Sequence, residues 1–480
     1  MLMRQLFLCT FIIVAQCFIT LPHLKAQDAA DSTSQQQLTL EDAAALLRSN
    51  NNPLKIAQKG IEIATAQKQQ MQSAWYPFIS ATGGYIHTSN KISAQANLGE
   101  MAQEIAEGFP AIGQLLPQLE QIISSLSSIT LSIPLLNQNI TSIDAVAIWP
   151  IVAGGKRIYA TRIGRELENS AQLLSSTVYN TQMALMINTY YTLKLCIITQ
   201  SMQEENLQYL QKLSYNATRL KDEGFINKAE HLLVQVALEE GQRELLTAKE
   251  NRRRAESALS TILGTEAQGV PSSPFLLPNS LIPIPQEEIT TEDNTQLQML
   301  HSQEKILENK KKIAISEYIP SLSLVARQNL YSNNVPSNLL PRSMIGATLQ
   351  WSIFNGLYRE KEISKSRLEQ EQLQFAISQA QMELNTAAIS LKGRIEEAKQ
   401  RINTLNLTVK LTKELLRERE KGFAEGMSTS AELLEAKSSL LKAETALSLA
   451  HWEYNTSLAN LLALYSNTDH FIEMQNEYRK

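Results

Sequence analysis

The sequence predicts a mostly α-helical α+β protein built from two copies of one unit, each with short strands and a long antiparallel helical hairpin. One observation behind this prediction is an internal repeat. With an offset of 202 residues (351 − 149), the stretch 149–263 aligns without a gap on the stretch 351–465. The other is a helical pattern of 67 residues (222 − 156 + 1) in each copy, far longer than an ordinary globular helix. Duplication of such a unit implies pseudo-symmetry.

Matching residues are spread along the whole aligned stretch. Trp149 falls on Trp351 and Gly154 on Gly356 near its start. Further pairs at the same offset are Ile151/Ile353, Arg157/Arg359, Glu223/Glu425, Gly224/Gly426, Ala229/Ala431, Glu230/Glu432, Leu238/Leu440, Leu245/Leu447 and Leu259/Leu461. Unrelated helices would not keep one offset for more than a hundred residues, so the chain is interpreted as an internal duplication.

Composition excludes some function classes. The 44 Lys and Arg residues nearly balance the 48 Asp and Glu residues, and no basic patch stands out, so no nucleic-acid partner is predicted. The six histidines are scattered, and no Ser/His/Asp set, metal-ligand spacing or Gly-rich phosphate loop occurs. We therefore predict no enzyme, no catalytic or metal site and no cofactor. His231 and His451 are interpreted as surface or packing residues.

Residues 1–26 have the pattern of a signal peptide. Arg4 supplies the positive charge, an uncharged and mostly apolar run follows, and cleavage after Ala26 is expected. The exact cleavage site stays open. So does lipidation of Cys17, because Gln16 is larger than the residue that precedes a lipoprotein cysteine. The predicted mature chain retains one cysteine, Cys196, and hence no intramolecular disulfide.

The first unit is predicted over residues 27–264 and begins with helices. Thr39 and Asp42 have the spacing of a capping box. Pro53 interrupts the helical pattern, because the residue before a proline disfavours the helical region. The helix then resumes from residue 54 to about Trp75, and Pro77 ends it.

Four stretches alternate with a period of two, at about 78–88 and 141–152 in the first unit and about 321–331 and 343–354 in the second. The clearest apolar faces end in Trp149 and Trp351. Such a face is typical of a lipid-facing strand with an interfacial aromatic girdle, and a half-buried strand of a soluble sheet is the alternative. The first strand pair carries an enlarged loop at about 92–134, for which a short amphipathic helical cap is predicted.

Long helical hairpins follow the strands. Helices are predicted over 156–222 and 358–424, each about 100 Å long at 1.5 Å per residue. Tight turns at Gly224 and Gly426 lead into return helices over 228–263 and 430–465. In the last helix a strict seven-residue spacing connects Leu433, Leu440, Leu447, Tyr454 and Leu461. This spacing predicts knobs-into-holes packing.

The remaining segments complete the predicted domain organisation. A Pro-rich linker spans residues 265–289, the second unit spans 290–467 with an initial helix at about 292–318, and a tail spans 468–480.

Together these features resemble the TolC family of outer-membrane efflux proteins. The stretch from Leu38 to Pro53 resembles the first helix of that family. The family's turn pattern is Gly, a polar residue three positions on, an acid six on and Leu eight on. Here it occurs as Gly224, Asn227, Glu230 and Leu232, and again as Gly426, Thr429, Glu432 and Leu434. The resemblance covers about residues 38–467. Glu in place of the commoner Asp, His231 in place of an aliphatic residue and the enlarged loop are departures.

The resemblance implies a fold and a function. Three copies would each contribute four strands to one shared β-barrel in the outer membrane of a Gram-negative bacterium, and their helices would form a tunnel through the periplasm. The implied function is an export duct of a tripartite efflux or secretion system for small molecules. Its implied partners are a periplasmic membrane-fusion adaptor, a proton- or ATP-driven inner-membrane pump and outer-membrane lipid. A duct for type I protein secretion and a non-transport coiled-coil envelope protein are the alternatives.

The resemblance also implies site residues. Glu432, Glu435 and Glu230 would surround the periplasmic aperture of the tunnel. Gly224 with Phe225, and Gly426 with Met427, would form the adaptor-facing tips. Trp149 and Trp351 would lie at the membrane interface. The alternatives are that these glutamates are solvated surface residues and that the glycines serve only the turns.

Overall fold

The computed structural model describes residues 37–89, 92–97, 130–136, 138–266, 269–278, 288–333 and 341–479, together with Glu100 and Glu104. Eight α-helices are described in these segments, and their bounds are α1 Leu40–Asn50, α2 Asn52–Gln72, α3 Lys156–Asp222, α4 Lys228–Leu263, α5 Thr295–Ser316, α6 Tyr358–Ala424, α7 Ser430–Leu464 and α8 Asp469–Arg479. A 3-10 turn at Ser73–Trp75 follows α2. The predicted mostly helical α+β fold with two long hairpins is confirmed. The predicted signal peptide and Cys17 lie outside the described residues.

The strands form one main sheet and two small ones. Their bounds are β1 Gln37–Leu38, β2 Phe78–His87, β3 Ile92–Asn97, β4 Thr130–Leu136, β5 Asn139–Val152, β6 Val270–Pro271, β7 Ser321–Asn333 and β8 Ser343–Gln350. The main sheet is antiparallel with the order β2-β5-β7-β8, so β5 and β7 join the two units at its centre. A two-residue parallel pair connects β1 to β6.

The helices pack side by side in a layer that continues the sheet. Near the strands the packing order is α2-α3-α5-α6, and towards the turns it is α4-α3-α7-α6. The helix α6 therefore lies at an edge of the layer along its whole length. Among the described helices, none combines the length and the apolar composition that crossing a membrane requires.

The enlarged first hairpin contains strands where the sequence predicts a loop. The strands β3 and β4 pair in an antiparallel hairpin beyond β2 and β5, with a register irregularity between Ile92 and Ser93. The residues on which a helical cap was predicted lie outside the described segments. The second strand of the other unit is shorter than predicted and ends at Gln350, because the following carbonyl groups accept hydrogen bonds from Arg359 instead of a neighbouring strand.

The predicted C-terminal tail is a helix packed on the core. Phe471 is fully buried in α8, and Ile472 and Met474 are nearly so. Asp469 accepts hydrogen bonds from Arg48 at 2.8 Å and from the Tyr179 hydroxyl at 2.7 Å. The short apolar run gave no clear periodicity in the sequence, and its burial depends on contacts with residues hundreds of positions earlier.

The two return helices bury different kinds of residues. In α7 the predicted column is buried at Leu433, Leu440, Tyr454 and Leu461. In α4 the buried seven-residue column is a small-residue one, formed by Val234, Gly241, Ala248 and Ala255. A Cβ at Gly241 would lie 2.7 Å from Leu210 Cδ1. The seam between α3 and α4 is thus closer than the leucine spacing predicted.

Candidate functional site

The two hairpin turns have the same backbone hydrogen bonds. At the first, the Gly224 amide donates to Lys221 O at 3.0 Å and the Phe225 amide donates to Leu220 O at 2.8 Å. At the second, the Gly426 amide donates to Phe423 O at 3.2 Å and the Met427 amide donates to Gly422 O at 2.7 Å. This pair of bonds is a Schellman motif, which closes the end of a helix on a left-handed residue.

Glycine is needed at both turns for its backbone conformation. Gly224 has φ of +78° and Gly426 has φ of +74°, and a Cβ on either would meet no heavy atom within 4 Å. A larger residue is therefore opposed by backbone strain and not by a neighbour. The next residues project outward, since Phe225 is 75% exposed and Met427 is 73% exposed. Each tip presents an apolar side chain on a fixed turn.

The return helices start with polar caps. Asn227 Oδ1 accepts from the Glu230 amide at 2.9 Å, and Thr429 Oγ1 accepts from the Glu432 amide at 3.3 Å. Glu432 Oε2 also accepts from the Thr429 amide at 3.1 Å, which completes a capping box. The carboxylate of Glu432 therefore starts α7 in addition to any other role.

The three predicted aperture glutamates have different surroundings in one chain. Glu432 is half-buried, with Arg419 Nη1 at 3.5 Å from its carboxylate. Glu435 is exposed and lines a groove between α3, α4 and α7 that also contains Lys437. Glu230 lines a cleft of about 580 Å³ between the two tips. The fold does not bring these carboxylates into one cluster within the chain.

A second cleft near the tips was not predicted from the sequence. It has a volume of about 560 Å³, lies between the ends of α3 and α6, and contains Tyr209, Arg219 and Glu420. Burial raises the pKa of the Tyr209 hydroxyl well above its ordinary value, with a further contribution from Glu420. Lys437 Nζ lies 5.0 Å from the centre of the Tyr209 ring. These contacts connect the two hairpins, and nothing in the local spacing of the residues indicates them.

The predicted interface tryptophans connect the sheet to the helices. The Trp149 indole donates to Trp75 O at 3.0 Å, and the Trp351 indole donates to Tyr318 O at 3.1 Å. Both rings are partly exposed at the base of the main sheet.

Two arginines repeat the same arrangement at this junction. The guanidinium carbon of Arg157 lies 4.4 Å from the centre of a Trp75 ring, and that of Arg359 lies 4.3 Å from the centre of the Tyr318 ring. Arg359 is buried and also donates to the carbonyl groups of Ser352 and Ile353. The offset of 202 between the arginines was visible in the sequence and could have indicated their shared role.

The two histidines noted in the sequence have packing roles. His231 Nε2 lies 3.2 Å from Thr218 Oγ1 between α3 and α4. The His451 ring stacks on Phe275 with 5.9 Å between ring centres, and burial lowers the pKa of His451.

Comparison with known proteins identifies similar sequences and folds. Residues 289–467 match the family described as outer membrane efflux protein. No curated protein matches the chain with significant sequence similarity.

Solved structures match most of the chain at low identity. CusC, described for conformational changes accompanying folding and transmembrane channel formation, has 14% identity and a TM-score of 0.72, covering 89% of this chain and 92% of its own. The Campylobacter jejuni CmeC outer membrane channel has 13% identity and a TM-score of 0.72, covering 95% and 97%. The open Neisseria gonorrhoeae MtrE outer membrane channel has 14% identity and a TM-score of 0.67, covering 94% and 97%. At these identities the likeness establishes the fold.

Proposed function

Residues 289–467 belong to the outer membrane efflux protein family, and the chain has the fold of outer-membrane efflux channels; on this premise we propose that it is the outer-membrane export duct of a tripartite efflux system. The duct passes small molecules from a periplasmic adaptor and an inner-membrane pump to the exterior. Its location is the outer membrane of a Gram-negative bacterium, with the helices extending into the periplasm.

The observation that carries the proposal is a pair of open edges on one layer. The strands β2 and β8 are the edges of the main sheet, and the helices α2 and α6 that continue from them are the edges of the helical layer beside it. Unpaired strand edges cannot face lipid, because their backbone groups would have no hydrogen-bond partners there. Head-to-tail association of identical copies satisfies both edges at once.

A row of apolar side chains on α6 supports this association. Its members are exposed and lie along one side of the helix at Leu368, Phe375, Met382, Ile389, Leu407, Leu411 and Leu415. Phe375 is nine residues from the buried Leu384, which is about two and a half turns, so the row lies opposite the packed face. In a wall of helices each member has neighbours on opposite sides. The row is therefore the expected contact of α6 with a helix of another copy.

The resemblance of this chain to trimeric ducts leads us to propose three copies. Trp149 and Trp351 then surround the base of the shared barrel at the membrane interface. The tips with Gly224, Phe225, Gly426 and Met427 contact the adaptor. Three copies of Glu432 and Glu435, with Glu230 beside them, surround the narrow end of the tunnel, where mutual repulsion of carboxylates attracts cations.

A planar bilayer tests the proposed duct. The purified protein is expected to insert as complexes of three chains and to conduct ions in discrete steps. In a host that lacks its own duct, the protein together with its cognate adaptor and pump is expected to restore export. A water-soluble monomer without conductance would support the coiled-coil envelope alternative and contradict the proposal.

A further inference from the structure

The two units of the chain are related by two constant residue offsets. Asn51 caps α2 and Asn294 caps α5, an offset of 243 (294 − 51), and each asparagine side chain accepts from the amide three residues on. Their Nδ2 atoms donate to Ile262 O at 2.7 Å and Leu464 O at 2.8 Å, which are 202 residues apart (464 − 262). Elements before the second strand of each unit thus follow one offset, and elements after it follow the other.

A contact between neighbouring helices repeats with the same offsets. Lys68 Nζ lies 2.6 Å from Glu168 Oε2 between α2 and α3. Lys311 Nζ donates to Gln370 Oε1 at 3.3 Å between α5 and α6. The lysines differ by 243 (311 − 68) and their partners by 202 (370 − 168). The operation that carries α2 onto α5 therefore carries α3 onto α6, including side-chain register.

The seam between α3 and α5 joins the first unit to the second. At this seam Asn169 Nδ2 donates to Ser302 Oγ at 2.8 Å. The same operation moves α3 onto α6 and moves α5 past the edge of the chain, to the place of α2 in another copy. Adding 202 to Asn169 gives Glu371, and subtracting 243 from Ser302 gives Lys59. A polar contact inside the chain thus corresponds to two opposite charges.

Apolar residues on both sides of these charges fall into the same register. Ile56 on α2 and Phe375 on α6 are 71% and 77% exposed, and Ile63 and Leu368 are also exposed. Seven residues forward along α2 correspond to seven residues backward along α6, as antiparallel helices require. Lys59 lies between the two isoleucines, and Glu371 lies between Leu368 and Phe375. The two surfaces are complementary in charge and in spacing.

The two charged groups are accessible in the single chain. Lys59 forms an ion pair with Glu62 of its own helix at 2.8 Å, with both side chains mostly exposed. Glu371 is exposed and forms none of the ion pairs found in the described segments.

We propose that α2 of one copy packs against α6 of a second copy in this register, with Lys59 paired to Glu371, Ile56 against Phe375, and Ile63 against Leu368. This inference rests on the proposed function in that both need association of identical copies. It goes further by assigning the residues through which the copies recognise each other.

Disulfide formation between copies tests the register. In a Cys196→Ala background, the pairs Ile56→Cys with Phe375→Cys and Ile63→Cys with Leu368→Cys are expected to form covalent multimers under mild oxidation. The pair Ile56→Cys with Leu368→Cys is the control, because its positions are displaced by seven residues, or about 10 Å along the axis. Equal cross-linking of the control, or none in the matched pairs of an oligomeric protein, would overturn the register.

Charge reversal tests the ion pair separately. Lys59→Glu and Glu371→Lys are each expected to lower the temperature at which the oligomer dissociates in detergent. The double reversal is expected to recover most of that loss, because it restores opposite charges. Lys365→Glu with Glu371→Lys is a matched control that changes the same charges without opposing Lys59. Additive losses in the double reversal would overturn the pair.

The outcomes separate this inference from the proposed function. A parent protein that is monomeric both in membranes and in detergent contradicts the duct itself. A parent protein that forms conducting oligomers but lacks the matched cross-links contradicts only the proposed seam.

Discussion

At the scale of single residues, the hairpin tips combine a structural and a proposed functional role in the same side chain. Glu432 completes a capping box with Thr429 and has Arg419 nearby. Its counterpart Glu230 starts α4, but Asn227 supplies that cap. The family pattern of an acid six positions after the turn glycine thus has a local reason as well, since position N3 of a helix favours a carboxylate.

Replacing the aperture carboxylates by amides tests the proposed cation ring. Glu432→Gln with Glu435→Gln is expected to weaken cation selectivity and remove block by multivalent cations from the periplasmic side, because repulsion between carboxylates is lost. Gln at N3 can keep the capping box, so α7 should still start at Ser430. Single-channel recordings in a planar bilayer measure both effects.

The control for this variant is Glu396→Gln, which removes an exposed carboxylate farther from the turn. It should leave block and selectivity unchanged. If the double variant is blocked like the parent protein, the glutamates do not form the aperture.

The turn glycines allow backbone strain to be separated from docking. Gly426→Ala is expected to destabilise the protein by about 1 kcal/mol per chain, because a non-glycine residue resists positive φ. Gly426→Asn should cost less, since asparagine tolerates this conformation. Thermal denaturation of the detergent-solubilised protein gives both values.

A bulky residue at the same position tests contact with the adaptor. Gly426→Trp and Gly224→Trp are expected to abolish export while oligomers still reach the outer membrane, as judged by cell fractionation and resistance to an exported drug. Normal export in both variants would argue that the tips contact no partner. Loss of the oligomer itself would mean that the glycines serve only folding.

At the scale of elements, small residues decide how closely the first hairpin packs. The buried column of α4 runs through Val234, Gly241, Ala248 and Ala255, whereas α7 buries leucines and a tyrosine at equivalent spacing. Duplicated helices have thus diverged into a close seam and a wider one.

A side chain at the closest point of α4 should be costly. Gly241→Val is expected to lower the thermal stability of the protein, because its Cβ would lie 2.7 Å from Leu210 Cδ1 and force that side chain to move. Overpacking of this kind costs about 1–3 kcal/mol. Gln242→Val, at the exposed neighbouring position, is the control and should change stability far less. Equal stability of the two variants would show that the seam can widen without cost.

At the scale of the whole molecule, the open edges make a single chain incomplete. The order α2-α3-α5-α6 beside the strands and α4-α3-α7-α6 towards the turns leaves α6 exposed along its length. A helix with apolar residues on two opposite sides is suited to the interior of a wall. The chain therefore has the surface of a part of a larger ring.

Charging the exposed row of α6 should prevent ring closure. Phe375→Glu with Ile389→Glu places like charges in the proposed apolar contact and is expected to leave monomers or aggregates in detergent, where the parent protein shows three copies by native mass measurement. Ala376→Glu, an exposed position beside the row, is the matched control and should still assemble. Intact trimers of the double variant would contradict the proposed wall.

The sequence by itself determined the elements whose signals are local. Helix periodicity, the glycine turns and the prolines after Trp75 and Tyr318 predicted both 67-residue helices with their observed ends. These features depend on side chains within a few turns, so they can be read without knowing the fold. The repeat at an offset of 202 also predicted the pseudo-symmetry that the paired turns and arginines display.

Only the tertiary structure decided what these elements contact. It placed Arg419 beside Glu432, Tyr209 beside Lys437, and the predicted tail against Arg48 and Tyr179. It also left α2 and α6 as the open edges of the layer. These outcomes depend on contacts between residues far apart in the chain, and the periodicity of one helix indicates that it has an apolar face but not which helix covers it.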